Sequence, residues 1–457
     1  MPTAPVPVPE SRQALERRQL EQLRRLLRAV AESNPFYRRR WADAGVLSGD
    51  AGTDSELVTS LDEFKSSFPT TSKQDLVADQ LAHPPYGSDL TYPLDRYTRC
   101  HGTSGSTGHP LRWLDTPESW DWMLGNWRRV YEAAGVGPSD RVFFAFSFGP
   151  FLGFWTAFES ALRVGCLCLP GGGMTTVARL RSILDQEATV VCCTPTYALH
   201  LGDVARTEGI DLRRSKVRRI LVAGEPGGSV PAMRSAIEAC WPGARVVDHH
   251  GMTEVGPVSY GCPERPGVLH VIEDSYLAEL IDPTTGEPVA EGVLGEVVLT
   301  TLGRLGSPLV RYRTGDLARR SSGVGDEGRD RCRCGTVELA LEGGVVGRVD
   351  DMVVVRGVNV FPSAVDAIVR GVAGVVEYRV EVRNVGALLE LALQVELAAG
   401  SASASESASA SEVIRELEGA LQTRLGLRVP VEVVGAGALP RSELKARRWV
   451  RVGATGP

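Results

Sequence analysis

Strand-like and helix-like segments alternate through the middle of the chain. Short runs rich in Val, Phe and Cys stand at 141–148, 165–169, 189–193, 219–223 and 245–248. Stretches with helical spacing fill the gaps at 175–187, 195–208 and 229–239. This alternation predicts a parallel, doubly wound sheet with helices on both faces. Such sheets bind ligands beyond the carboxyl ends of their strands. Two loops fall at those ends: Gly224-Glu225-Pro226-Gly227-Gly228 and His249-His250-Gly251-Met252-Thr253-Glu254. Their glycines and carboxylates converge where a nucleotide could lie.

Upstream stands a loop in which six consecutive residues, Thr103-Ser104-Gly105-Ser106-Thr107-Gly108, are glycine or hydroxyl residues. Glycines let the backbone approach a bulky anion, and successive amides can form an anion-binding nest. A triphosphate would suit it. The alternative is a flexible linker or structural turn. Apolar and aromatic flanks (Leu111, Trp113, Leu114) and the loop's place inside the chain argue against a linker. It is not a Walker A loop, which requires a Lys.

The remaining segments extend the plan. Leu15, Leu20, Leu23, Leu26, Leu27 and Val30 recur at helical spacing, which predicts a helix over 11–32, ended by Asn34-Pro35. A second short helix follows to residue 46, and Ser72 is a candidate N-cap for a helix through Leu76. An aromatic helix is expected over 117–135. The stretch 148–155 combines rings with glycines, which suits either plain core or a pocket for a flat ligand. Alternation over 276–301 predicts antiparallel strands. The run 309–317 reads as a strand ending in a turn with Asp316 at its tip. That carboxylate could accept hydrogen bonds from a ribose diol, or merely cap the turn. Residues 347–362 read as a domain joint and hairpin. Beyond them a helix (363–370), strands (378–383, 388–397), a helix (413–425) and a strand (429–434) form a small α+β unit. Residues 401–411 are low-complexity Ser/Ala/Glu and read as a disordered insert. Residues 439–449 read as a basic tail around Lys445.

At 457 residues the chain is long enough for two or three domains. The expected architecture is α/β: a large N-terminal domain (1–349) with doubly wound and antiparallel sheets, and a small mobile α+β domain (350–457). A net charge of −6 gives no reason to expect nucleic acid or an anionic membrane as partner. No apolar run approaches the ~20 residues of a membrane helix. Residues 1–10 are Pro-rich, lack a signal-peptide layout and read as a disordered tail on a cytoplasmic protein. The nine cysteines form no regular disulfide framework, which fits a reducing compartment.

Taken in order, these motifs resemble the adenylate-forming superfamily of acyl-CoA synthetases, and within it the phenylacetate-CoA ligase-like branch. The likeness runs from about Asn34 to the C-terminus. It rests on Ser104-Gly105-Ser106-Thr107-Gly108, Gly224-Glu225-Pro226, His250-Gly251-Met252-Thr253-Glu254, Tyr312-Arg313-Thr314-Gly315-Asp316, Gly347-Arg348-Val349-Asp350-Asp351-Met352, Arg356-Gly357-Val358-Asn359-Val360-Phe361-Pro362 and the Lys445 segment. The resemblance implies activation of a small-molecule carboxylic acid by ATP to acyl-AMP. Rotation of the small domain then lets a thiol, most often that of coenzyme A, displace AMP. An amine, a hydroxyl or a carrier-protein thiol is the alternative acceptor.

By the same resemblance, Ser104, Gly105, Ser106, Thr107 and Gly108 hold the leaving phosphates, and Thr253 meets the α-phosphate. Glu254 ligates Mg²⁺, a hard cation that prefers oxygen. Gly224, Glu225 and Pro226 line the adenine site, and Asp316 takes the ribose; His250, counted with the ATP-binding residues, either stacks on a ring or reads a polar group of the substrate. Arg348 lies near ribose and phosphates, Asp350 is the hinge, and Lys445 meets the reacting carboxylate during adenylation only. Read without the resemblance, Lys445 belongs to a solvated basic face. Phe148, Gly149, Phe151, Phe154 and Gly251 are the expected acyl pocket, whose rings and glycine gaps suit an aryl or arylacetic acid. Two departures stand out: His109 replaces the family's usual Lys, and His250 replaces a frequent aromatic residue. Members of the family are often homodimers.

The cysteines carry a further signal. Cys332 and Cys334 form a C-x-C pair, and Cys262 and His270 lie upstream, together a Cys₃His set that suits structural Zn²⁺. The spacing is not that of a standard finger, so surface thiols and a core histidine are the alternative. Cys166, Cys168, Cys192, Cys193 and Cys240 read as small core residues.

Overall fold

The computed structural model describes residues 11–47, 57–103, 110–321, 331–356, 358–385, 388–398, 406–440 and 448–452. The predicted alternation forms one five-stranded parallel sheet, in the order Leu167–Pro170, Arg141–Phe144, Val190–Cys193, Arg219–Val222, Arg245–Asp248. Strand residues point alternately to opposite faces. Val142, Phe144, Val190, Cys192 and Leu221 therefore enter one core, and Phe143, Val191, Cys193, Ile220 and Val222 another. Helices cover both faces, among them Pro195–Thr207 and Pro231–Cys240 against the second core. The first strand ends at Phe144 rather than at 148. Ala145 still donates to the Cys192 carbonyl, after which the chain crosses the carboxyl edge of the sheet.

The N-terminal segment is helical as expected. Ser11 caps Arg12–Ser33, and Asn34 both closes that helix and caps Pro35–Asp43 through Tyr37 N–H. Ser72 and Asp75 cap each other's backbone at the start of Lys73–Ala82, which runs beyond the predicted end at Leu76. The aromatic helix spans Pro117–Ala133.

A second, antiparallel sheet joins Tyr276–Ile281, Leu294–Thr301, Tyr312–Arg319 and Gly347–Arg348. Here the expectation for Asp316 is corrected. The strand runs straight through Gly315-Asp316, so Asp316 lies inside a strand and not at the tip of a turn. Gly315 has φ +76° and the ladder shifts register opposite it, between Glu296 and Val298. A left-handed glycine in an antiparallel pair gives a bulge, which re-aims a side chain without ending the strand.

The C-terminal unit has its own core, with Val360, Val369, Val395 and Leu417 fully buried. The hairpin Val353–Val355/Val358–Val360 and the helix Pro362–Val369 precede a four-stranded sheet ordered Val431–Val434, Leu388–Leu397, Val375–Val385, Trp449–Val452. Two expectations change. Glu406 to Ser411 of the low-complexity stretch open the helix Glu406–Leu425. Ala and Glu are good helix formers, and the buried Leu417 and Leu421 further on anchor the segment. The basic tail ends in the edge strand Trp449–Val452, parallel to Val375–Val385. Lys445, residues 401–405, residues 1–10 and the loop Ser104 to Gly108 with His109 lie outside the described residues. No helix among the described residues is long and apolar enough to cross a membrane.

Candidate functional site

The last parallel strand ends at Asp248, and the chain turns there across the sheet edge. Asp248 is half-buried and accepts from Ser229 Oγ at 2.6 Å and His249 N–H at 3.0 Å; desolvation pushes its pKa up to about 6. His249 Nδ1 donates to the Ser259 carbonyl at 2.7 Å, and its ring centroid lies 4.3 Å from that of Trp127. Burial pushes the His249 pKa down to about 4, so the ring is neutral at pH 7. His250 donates its own N–H to Ser259 Oγ and accepts from Val258 N–H.

The His250 side chain reaches the second sheet. Its Nε2 lies 2.8 Å from Asp316 Oδ2, and Arg348 donates to Asp316 Oδ1 at 2.9 Å. Burial opposes ionisation of Asp316, but the His250 hydrogen bond and the Arg348 charge hold its pKa below the usual carboxylate range. Arg348 also bonds Asp350, through Nε at 2.8 Å. A Cβ on Gly315 would stand 2.9 Å from the Arg348 guanidinium, so that glycine leaves room for the pair. His250, Asp316, Arg348 and Asp350, from three separate motifs, thus form one connected chain.

Thr253 and Glu254 follow on the same excursion. Their carbonyls accept from Arg304 Nη1 at 3.0 and 2.6 Å, while Arg304 grips Asp115 with Nε and Nη2 at 2.7 and 2.8 Å. Both members of that pair are fully buried. The Glu254 carboxylate meets Lys73 Nζ at 3.1 Å. One nearly buried carboxylate fits Mg²⁺, which usually takes one or two protein carboxylates and completes its shell with water and phosphate. Gly251 has no space for a side chain, because a Cβ would stand 2.8 Å from the Gly256 carbonyl oxygen.

Gly224, with φ +93°, turns the chain at the end of Arg219–Val222. The Glu225 carboxylate accepts from Thr196 N–H at 2.7 Å, at the start of Pro195–Thr207, and Pro226 follows. Across the edge, Phe146 stacks on Phe154 at 4.2 Å, while Phe148 meets Trp155 at 4.9 Å and Phe158 at 5.2 Å. Phe151 stands edge-on to Phe154 at 6.0 Å. These rings are partly core: Phe148 and Phe154 pack against the buried cluster that holds Phe144 and Phe146. A cavity of about 350 Å³ opens beside Gly149, lined also by His101, Pro150 and Trp155.

The four cysteine and histidine ligand candidates converge. Their donor atoms all lie within 4.8 Å of one another. Cys262 Sγ and Cys332 Sγ are 3.7 Å apart, and Cys334 Sγ is 3.5 Å from His270 Nε2. A tetrahedron of Zn–S and Zn–N bonds has edges of roughly 3.5–3.8 Å. His270 Nδ1 donates to the Glu338 carbonyl, which leaves Nε2 free for a metal. Burial lowers the His270 pKa, yet hydrogen bonds to the Cys332 and Cys334 thiols outweigh it and raise it to about 9.

Sequence reasoning passed over Arg304, Asp115, Asp248 and Lys73. Arg304 carried a visible signal, a lone arginine between Gly303 and Gly306 in an apolar stretch. A Cβ on Gly303 would collide with Trp122, at 2.3 Å.

A sequence profile of the AMP-binding enzyme family matches residues 61–303, and one of the AMP-binding enzyme C-terminal domain matches residues 357–451. The phenylacetate-coenzyme A ligase of Pseudomonas putida is 33% identical over 95% of this chain and 93% of its own length. That of Thermus thermophilus is 31% identical over 94% and 95%. A crystal structure of 2-hydroxyisobutyryl-CoA ligase in the postadenylation state with 2-HIB-AMP superposes with a TM-score of 0.88, at 30% identity, over 97% of this chain and 91% of that one. The same ligase with 2-HIB-AMP and CoA in the thioesterification state gives a TM-score of 0.70 over the same shares.

Proposed function

The chain belongs to the AMP-binding enzyme family, and from that premise we propose that it activates an aryl or arylacetic acid with ATP and transfers the acyl group to coenzyme A. It is an AMP-forming acid–thiol ligase. In the first step a carboxylate oxygen attacks the α-phosphorus of ATP, and the bond to the β-phosphate oxygen breaks. In the second the thiol sulfur attacks the acyl carbon, and the bond to AMP breaks.

The observation that carries this reading is the meeting of three motifs on one carboxylate. Asp316, aligned by His250 and Arg348, presents an ionised, buried acceptor suited to a ribose diol. Gly224, Glu225 and Pro226 would flank the adenine, and Ser104, Gly105, Ser106, Thr107 and Gly108 the β- and γ-phosphates. Thr253 would face the α-phosphate, where Arg304 steadies its backbone. Glu254 would hold Mg²⁺, which when bound spreads the negative charge of the phosphates. Phe148, Gly149, Phe151, Phe154 and Gly251 would form the acyl pocket. Cys262, His270, Cys332 and Cys334 would hold a structural Zn²⁺, since four protein donors leave no open position.

The small domain, from residue 350 onward, would turn about Asp350 and deliver Lys445 for adenylation only. The difference between the two TM-scores to one ligase in its two states supports a C-terminal unit that changes place.

The test is pyrophosphate release from ATP and Mg²⁺ with a panel of acids, with and without coenzyme A. Aryl acids should lead the panel, and thioester should form only with coenzyme A present. Medium-chain fatty acids ahead of every aryl acid would refute the pocket reading. In the same assay Lys445→Ala should lose adenylation and keep thioester formation from supplied acyl-AMP. Equal loss of both half-reactions would refute the alternation.

A further inference from the structure

Lys73 has no assigned role above, yet its side chain ends on Glu254. Two independent constraints set its position. It is the first residue of Lys73–Ala82, behind the reciprocal cap of Ser72 and Asp75. Two residues earlier, Thr71 is stitched to the strand that carries Asp316: Thr71 N–H donates to the Arg311 carbonyl at 2.9 Å, and Arg313 N–H to the Thr71 carbonyl at 2.8 Å. Thr71 Oγ1 adds a bond to the Val310 carbonyl at 2.9 Å. The lysine is thereby held at the site by the same strand that presents the ribose acceptor.

The side chain of Glu254 is 8% exposed and that of Lys73 23%. Among the described residues, Lys73 is the only cation paired with the Glu254 carboxylate. Arg304 engages the Glu254 backbone, not its carboxylate. The choice of lysine matters chemically. Only four of the fifty basic residues in the chain, Lys65, Lys73, Lys216 and Lys445, are lysines. An arginine here could grip Glu254 with two parallel hydrogen bonds and hold it. A lysine is a point charge on a flexible stem and can let go.

We propose that Lys73 is the resident counter-ion of the metal site. It neutralises Glu254 in the empty enzyme and yields that carboxylate to a divalent ion only when a nucleotide triphosphate arrives with it. The metal–triphosphate complex carries net negative charge, so the released ammonium finds a phosphoryl oxygen in place of the carboxylate. A free divalent ion offers the ammonium no such partner and must compete for a carboxylate already paired. Metal loading is thereby tied to nucleotide loading. This inference rests on the reading of Glu254 as the metal ligand.

The probe is Mn²⁺ alone, titrated into the full chain without nucleotide and followed by electron paramagnetic resonance. Lys73→Ala and Lys73→Gln should bind Mn²⁺ about tenfold more tightly than the parent, the size of a typical coupling between competing ligands. With a non-hydrolysable α,β-methylene ATP present the order should reverse, because the phosphoryl partner is gone. Lys73→Arg should bind Mn²⁺ weakly under both conditions. Parent, Lys73→Ala and Lys73→Gln matched within twofold without nucleotide would overturn the proposal. So would a Lys73→Ala/Glu254→Gln double variant that still binds Mn²⁺ as tightly as Lys73→Ala, since the ion would then sit elsewhere. If no acid supports pyrophosphate release by the parent, the functional reading fails. The nucleotide-free titration needs no turnover and decides Lys73 by itself.

Discussion

Arg304→Met separates the two tasks of the buried Arg304–Asp115 pair. The guanidinium makes four hydrogen bonds, two to Asp115 and one each to the carbonyls of Thr253 and Glu254. Both side chains have no exposure. The arginine also lies over the Trp113 ring, 5.4 Å from its centroid. Removing the cation strands a buried carboxylate, which costs about 3–5 kcal/mol, and leaves two carbonyls without this donor at about 1–3 kcal/mol each. These costs overlap, because the site relaxes as a unit. The expected loss is about 4 kcal/mol, close to a thousandfold in the folded-to-unfolded ratio. Denaturant unfolding followed by tryptophan emission measures it. Adding Asp115→Leu to the Met variant removes the stranded charge and should recover about 2–4 kcal/mol. It cannot restore the donors to Thr253 and Glu254, so pyrophosphate release should stay at least about tenfold down. A loss below about 1 kcal/mol for Arg304→Met would refute the reasoning. So would recovery of stability and activity together, since the backbone anchor would then have no function.

Two further outcomes are expected. His249 titrates near 4 in the fold and near 6.5 in the unfolded chain, so the unfolded state takes up a proton first as pH falls. Its contribution is complete above about pH 6.5 and is lost as pH drops towards 4, by about 3 kcal/mol. His249→Gln should flatten that part of the stability profile, and an unchanged slope would exclude His249 as its source. The Cys₃His cluster should hold one zinc per chain by elemental analysis. Cys262→Ser and Cys332→Ser should each lose the metal and lower the unfolding temperature, and metal-free parent protein of unchanged stability would exclude a structural ion.

Local signals were dependable wherever a segment's own pattern decided its fate. All five parallel strands lie within their expected neighbourhoods, the first stopping short at Phe144, because short apolar runs bounded by turns suit a sheet covered on both faces. Ser72 caps its helix as expected because its side chain satisfies an end amide, and Asn34 ends the first helix as expected. Residues 406–411 depart from expectation for the converse reason. Composition there read as a disordered insert, but the packing of Leu417 and Leu421 extends a helix back to Glu406.

The chain's own order of residues determined the two-sided sheet, the loops at its carboxyl edge, the small C-terminal α+β unit and the types of side chain available for chemistry. Only the tertiary structure decided which of these meet. Asp316 became a buried acceptor through a bulge whose register depends on the neighbouring strand. His250 reached it across two sheets. Arg304 found Asp115 at a separation of 189 residues, and Lys73 found Glu254 at 181. A periodic pattern records what one segment needs from its immediate surroundings. Pairing between distant charges depends on how whole elements pack, and no local spacing encodes it.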